Sequence, residues 1–476
     1  MSAPTDVAPV AATGSPLTIT DAVAALREGE ITATGLVSAA VAASEAHDEA
    51  LGIFLDRYDE QALAAAAAAD EAYAAGDPVP PMLGIPLGIK DIIVTTEGPT
   101  TGQSLVHDPS WSAGEDAVVV QRLRAAGGIV TGKATTMEFA TGVPDLTKPV
   151  PVPRNPWSPE RWTGGSSSGS GNGVVVGSFL GALGTDTGGS IRIPAAYCGI
   201  TGLKATYGRV PKSGCIPLGY SLDHIGPMAR SAADCALMLN ALAGHHASDP
   251  TCVEEPVDDY LAALTGDVAG LRIGVDALQR AWPDRDPAVE ELFEAAVSVM
   301  AEAGAEIVPV ELPAWEETMA ANRVTSRSEA LAYHQPDLVE RWDDYFDSTR
   351  QGLASGTFFT GADYVQAQRV RRHVQQLVAG LFTEVDLVLT PTTSLPAPRI
   401  DELGGQAWKF GGTHTGYWNA LGNPALAVPM GFQDGLPMSL QIIGRPFEEG
   451  TVLRAGDAYQ SVTSWHLATP SLDLAG

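Results

Sequence analysis

From Gly164 to Pro194 the chain reads GGSSSGSGNGVVVGSFLGALGTDTGGSIRIP, ten glycines in thirty-one residues. Glycine loses more conformational freedom on folding than any other residue. Two glycine clusters flanking the apolar run Val174–Leu183 therefore imply special backbone angles or close approach by another group. Backbone N–H groups bared by missing side chains also make a ready cradle for an anion or oxyanion. Three hydroxyls stand out by context: Ser166 and Ser167 after a Gly pair, and Ser190 after Gly188 and Gly189.

Several simpler readings fail on the letters. A flexible linker does not carry VVVGSFLGAL or the following IRIP. Neither cluster is followed by the GK[ST] of a phosphate loop, and neither the G-x-G-x-x-G dinucleotide spacing nor the G-x-S-x-G nucleophile elbow is present. Two readings stay open on the residues alone, serine chemistry and a purely structural glycine turn.

The wider sequence resembles the amidase signature family. GGSSSGS is followed, twenty-four residues after Ser166, by the serine of GTDTGGSIRIPAAYCGITGLKATYGRV. The resemblance extends through GIPLGIKDIIVTTEGPTTGQS (84–104), GKATTMEFATG (132–142), SLDHIGPMARSAADCALML (221–239), VDLVLTPTT (385–393), and LGNPALAVPMGF with GLPMSLQIIGRPF (421–447). These segments span nearly the whole chain in the family's order. The resemblance implies one α/β domain over 17–476, with a mixed, strongly twisted sheet of about eleven strands wrapped by helices, after a flexible tail at 1–16.

Composition narrows the partners. The 476 residues carry a formal charge of −29, are 45% hydrophobic and have a mean hydropathy of +0.05, the profile of a soluble protein with ample core material. An acidic surface argues against nucleic acid and anionic membranes as partners. No signal peptide or spanning segment is evident in the sequence, which with four cysteines lacking CxxC pairing reads as a cytoplasmic protein with reduced thiols. No cofactor motif and no metal-ligand spacing is found. Only six lysines occur, so Lys90 inside LGIPLGIKDIIV is conspicuous.

Along the chain, helices are expected at about 20–28, 33–47 and 59–75, then a strand region around Lys90 that points its amine inward. AVVVQRLRAAGGIVTGKATT reads as helix, glycine cap and strand, and LRIGVD (271–276) as a strand. A helix runs from Asp286-Pro287 to Gly304, residues 310–380 are mainly helical, and VDLVLTPTT returns to a strand.

The resemblance also implies the chemistry. Members of the family cleave amide and related C–N bonds with a Ser–cisSer–Lys triad. Carried over by motif, Ser190 is the nucleophile, Ser166 the bridging serine on a cis Gly165–Ser166 bond, and Lys90 the base. The oxyanion hole is expected from the backbone N–H groups of Thr187, Gly188, Gly189 and Ser190. Asp186, Arg192 and Ser167 are expected as braces of this loop. Ser168 stands where the family usually has glycine, which puts the local loop geometry in question. A serine hydroxyl is a weak nucleophile until a neighbour takes its proton, and a lysine does so only when neutral. Burial among Ile85, Leu87, Ile89, Ile92 and Ile93 is the means of lowering the Lys90 pKa from its ordinary value of roughly 10.4.

The expected substrate is a small uncharged aryl or alkyl amide, with carbamates (a urethanase-like activity) and esters as sub-readings, taken up by a monomer or homodimer. Met137, Phe139, Trp111, Trp157, Ile225 and Tyr220 are expected to flank the pocket. Two alternatives stand beside this: a glutamine amidotransferase-type subunit that works with a partner chain, and an inert scaffold on the same fold.

Overall fold

The first helices are set by their caps. The Thr18 and Thr32 hydroxyls accept from the N–H groups of Asp21 and Gly35, starting α1 (Ile19–Glu28) and α2 (Ala33–Leu51). The second helix runs four residues past the expected end, because its stop is Gly52, in the left-handed region at φ 59°, rather than the polar run at 47–49. The alanine-rich α3 (Asp59–Ala75) follows β1 (Phe54–Arg57) and ends at the left-handed Gly76. A computed structural model describes residues 18–282, 285–403 and 412–472, so the tail expected at 1–16 lies outside the described residues.

Next come β2 (Pro86–Lys90), α4 (Val118–Ala125), β3 (Ile129–Ala134) and a hairpin of β4 (Arg154–Asn155) with β5 (Ser158–Trp162). The glycine-rich stretch supplies α5 (Ser168–Val176), β6 (Gly181–Asp186) and α6 (Arg192–Cys198). It is followed by β7 (Thr201–Lys204), β8 (His224–Ala229), α7 (Ala232–Leu242), β9 (Arg272–Val275), α8 (Pro287–Glu302) and β10 (Glu306–Pro309). As the Asp-Pro pair requires, the Asp286 carboxylate caps α8 at the Ala288 N–H. Three helices, α9 (Trp315–Glu340), α10 (Asp347–Ala354) and α11 (Gly361–Glu384), fill the expected helical region. The chain closes with β11 (Leu387–Pro391), α12 (Gly416–Leu421), β12 (Ala425–Gln433), β13 (Leu436–Ile443) and α13 (Glu449–Ser461).

Eleven strands form one mixed sheet in the order β1-β3-β2-β6-β8-β7-β12-β13-β11-β9-β10. The placement that matters is in its first half, where β3, β2 and β6 run parallel and β8 returns antiparallel beside β6. Leu87, Gly88 and Ile89 pair with Gly181, Ala182 and Leu183, so Lys90 and Thr185 emerge together at the carboxyl ends of neighbouring strands. That edge of a parallel array is where α/β sheets present ligand-binding residues.

Close approach accounts for much of the glycine demand. A Cβ at Gly169 would lie 2.2 Å from the Ile53 carbonyl oxygen and 2.5 Å from the Thr135 nitrogen, both backbone atoms that cannot swing away. This contact seats α5 against the loops that follow β3 and precede β1. Gly169→Ala is therefore expected to lower stability by about 3 kcal/mol or more, read as a shift of the denaturation midpoint at unchanged m-value; an unshifted midpoint would mean that α5 does not pack as described.

Candidate active site

Lys90 ends β2, and the chain turns at once, with the Ile92 and Ile93 N–H groups both donating to its carbonyl. The register of β2 on β6 aims its side chain across the strand ends. There the amine donates to Ser166 Oγ and to Thr185 Oγ1, each at 2.7 Å. No carboxylate of the described residues lies within ion-pair distance of it. Burial is complete and lowers the Lys90 pKa from 10.5 to about 7, against the smaller opposing pull of Cys215, Asp186 and Asp223.

Ser166 follows a cis Gly165–Ser166 bond, and its carbonyl accepts from the Met137 N–H at 3.0 Å. Ser167 braces the loop from inside. Its N–H donates to the Ser190 carbonyl at 3.2 Å, and its hydroxyl exchanges hydrogen bonds with the Thr185 backbone at 3.2 and 3.1 Å. Ser168 fits without disturbing the turn, its buried hydroxyl donating to the Gly164 carbonyl at 2.6 Å. Ser190 is half-buried and no hydrogen bond joins its hydroxyl to Ser166 Oγ. Such contacts are often open in a free enzyme and close on substrate.

The turn from 186 to 192 is built on one carboxylate. Asp186 accepts from the N–H groups of Gly189 (2.7 Å) and Ile191 (3.2 Å), from Arg192 Nε and Nη2 (3.0 Å each) and from Asn419 Nδ2 (2.8 Å). Burial alone would push this carboxyl up, but the Arg192 guanidinium overrides it and holds the group well below the usual carboxylate range. Arg192, fully buried, reaches on to Gln441 Oε1 and Asn419 Oδ1.

This arrangement corrects one expectation. The Gly189 N–H is already committed to Asp186 and is not a free oxyanion donor. The N–H groups of Thr187, Gly188 and Ser190 have no such acceptor among the described residues. Gly189 has a steric role instead: at φ 135°, a Cβ there would fall 2.0 Å from Thr415 Oγ1, whose hydroxyl donates to the Gly188 carbonyl at 2.6 Å.

A cavity of about 220 Å³ opens beside the Lys90 pair, bounded by Thr185, Thr187, Ala140, Cys215, Ile216 and Ile225. Its charged wall groups are engaged. Asp223 accepts from Thr187 Oγ1 and from the Leu218 and Gly219 N–H groups. Lys212 sits over the rings of Tyr207 and Tyr220. Of the six residues expected to flank the pocket, Ile225 and Tyr220 do so. Phe139 instead packs on His334 and Tyr345, because positive φ at Phe139 and Ala140 turns its ring away. Trp111 packs on His107, Trp157 on Phe432, and Met137 joins a buried cluster with Trp162.

Sequence reasoning also missed Thr185, Thr415, Asn419 and Gln441. A further buried pair flanks the loop, Lys204 with His224, whose Nε2 lies 3.4 Å from the amine. Burial drives both well below their ordinary pKa values. Among the described residues no group of three His, Cys, Asp or Glu side chains could hold a metal ion, and no helix is long and apolar enough to cross a membrane.

A serine loop with unclaimed N–H groups, facing a buried lysine, defines a class of enzyme, and the sequence match agrees. The chain belongs to the amidase (amidase signature) family, whose model matches residues 35–453. It is an enzyme of the C–N hydrolase type. Among curated relatives it is 41% identical to the A subunit of the glutamyl-tRNA(Gln) amidotransferase of Chloroflexus aggregans, over 96% of this chain and 98% of that one. Among solved structures it is similar to a chain from a vestigial protein complex tied to the origins of an s-triazine catabolic enzyme (32% identity, TM-score 0.86, covering 93% of this chain and 98% of that one). It is also similar to the peptide amidase of Stenotrophomonas maltophilia (29%, TM-score 0.81, covering 94% and 98%).

The Lys90 environment makes a two-sided prediction. Activity should rise with pH through about 7, as the amine becomes neutral, and level off above it. Between that value and 10.5 the unfolded chain holds a proton that the folded one lacks, so the lysine opposes folding most at low pH and less as pH rises towards 10.5. Lys90→Met is expected to abolish turnover yet raise the unfolding temperature, with the gain shrinking from pH 7 to pH 10. A gain that grew with pH, or turnover that persisted, would contradict the buried neutral amine.

Proposed function

We propose that the chain hydrolyses amides through an acyl-enzyme on Ser190. The observation that carries this reading is the Lys90 amine, wholly buried, free of any contacting carboxylate and hydrogen-bonded to Ser166 Oγ at 2.7 Å. Ser190 Oγ attacks the carbonyl carbon while its proton passes through Ser166 to Lys90. The developing oxyanion faces the N–H groups of Thr187, Gly188 and Ser190, donors that are fixed before the reaction begins. As the tetrahedral species collapses, the proton returns by the same route to the departing nitrogen. Water then enters by the reverse relay and frees the acid and Ser190.

For the substrate we favour a small uncharged amide, with carbamates and esters open to the same acyl chemistry. Support comes from the cavity, whose wall is largely apolar and whose charged groups are already engaged. An apolar cavity of about 150 Å³ accepts benzene, so about 220 Å³ suits a single ring or a short alkyl chain. The four unpaired thiols support a reducing compartment, the cytoplasm.

A second reading, a glutamine-using subunit that works with a partner chain, has two specific supports. One is the likeness to amidotransferase subunits over nearly the full chain. The other is Arg327 on α9, a half-buried guanidinium whose hydrogen bond to Thr141 Oγ1 at 3.3 Å leaves it without a carboxylate partner among the described residues. It is the available group for a substrate carboxylate.

Purified enzyme assayed on anilides, aliphatic amides, aryl carbamates, nitrophenyl esters and glutamine separates the readings by kcat/KM. Turnover of neutral amides by the chain alone, unaffected by Arg327→Ala, is the expected result. Turnover confined to glutamine, lost in Arg327→Ala or dependent on a second subunit, would install the amidotransferase reading. In either case Ser190→Ala is expected to cut kcat by about 10⁴-fold or more with stability unchanged, and Ser166→Ala by less, since water can replace part of its relay. Lys90→Arg should be inactive, because a guanidinium keeps its proton.

A further inference from the structure

Helix α9 passes over the oxyanion loop, and Asn322 is the residue that meets it. A Cβ built on Gly188 would encounter a single heavy atom within 4 Å, Asn322 Oδ1 at 4.0 Å. The space above the Gly188 backbone is thus open, and Asn322 forms its far wall. The same oxygen lies 3.5 Å from a Cβ built on Gly416, which follows the threonine that holds the Gly188 carbonyl.

The carboxamide itself is untied. Neither end makes a hydrogen bond among the described residues, although Nδ2 is shut off from solvent. Two buried threonines of the same helix are satisfied: Thr318 donates to the Ala314 carbonyl at 2.7 Å, and Thr325 accepts from Gln368 at 3.0 Å. A side-chain amide offers two donors and two acceptor lone pairs, and one left without partners in a folded interior calls for an explanation. The end of the group that borders the open space is its oxygen, next to the backbone of Gly188, one of the three residues whose N–H groups would hold the reacting carbonyl.

We propose that Asn322 is a substrate-binding residue whose carboxamide oxygen accepts the N–H of the amide being cleaved. The inference rests on the acyl-enzyme reading above. The loop supplies only donors, which suit the carbonyl oxygen, whereas the scissile N–H needs an acceptor and Asn322 Oδ1 is the one that borders the open space. The contact holds the leaving nitrogen on the side away from the oxyanion donors. It also gives the site a preference for amides over esters, which have no hydrogen at that position.

The test is a matched pair, a nitroanilide and a nitrophenyl ester of the same acid, assayed with wild type, Asn322→Leu and Asn322→Ser. A fluorophosphonate label on wild-type Ser190 is the control for the nucleophile. The expected result is a fall of about tenfold or more in kcat/KM for the anilide, with the ester rate within about threefold of wild type in the same preparations. A loss of folding or of loop geometry would depress both substrates alike. With the wild type active and labelled, equal losses on the pair, or no loss on either, overturn the inference alone. A wild type that neither turns over the pair nor takes the label at Ser190 overturns the acyl-enzyme reading, and this inference with it.

Discussion

The Asp186 carboxylate is the point on which the reactive loop is hung. It closes the turn through the Gly189 and Ile191 N–H groups, fixes Arg192 at the start of α6, and through Asn419 and Gln441 ties the loop to α12 and β13. A buried charge is costly unless paired and hydrogen-bonded on every side; here the carboxylate is held by its own turn and by Asn419 from far along the chain. The ion pair therefore matters less as a source of stability than as a fixture that sets where Ser190 and its neighbouring N–H groups point.

Three lysines are fully buried, and their different partners give them different roles. Lys133 lies 3.3 Å from Asp91 and donates to Thr100 and the Ile93 carbonyl. Lys204 donates to the Ala205 and Asn423 carbonyls beside His224. Only Lys90 is held by hydroxyls alone. A hydroxyl accepts a hydrogen bond from an ammonium but gives one back to a neutral amine just as readily, so this site is suited to a base that gains and loses a proton. The carbonyls and carboxylate around the other two have no hydrogen to return.

The parts legible in the sequence were those written into short stretches of backbone. The helix caps at Thr32 and Asp286, the strand that carries Lys90, and the positions of Ser166 and Ser190 follow from local spacing or from the family's motifs. The cavity was legible only at Ile225 and Tyr220. Phe139 sits within a recognisable segment, yet two successive residues with positive φ turn its ring into the core. The braces were equally hidden, because Asn419 and Gln441 lie 233 and 249 residues from the groups they hold. Nothing in an asparagine or glutamine in isolation says which loop it will support. The commitment of the Gly189 N–H to Asp186 is of the same kind, since four consecutive N–H groups look alike until a side chain turns back to claim one.

Half of the six lysines lie inside the protein, and the other two that are described, Lys148 and Lys212, are only half-exposed, with the Lys212 amine lying over two tyrosine rings. Among its described residues the molecule offers little to chemistry aimed at primary amines. Activated esters, aldehyde resins and lysine-directed crosslinkers meet an outer face whose cations are mostly guanidinium. Immobilisation of this enzyme on a support, or the mapping of a partner by crosslinking, is better directed at its many carboxylates.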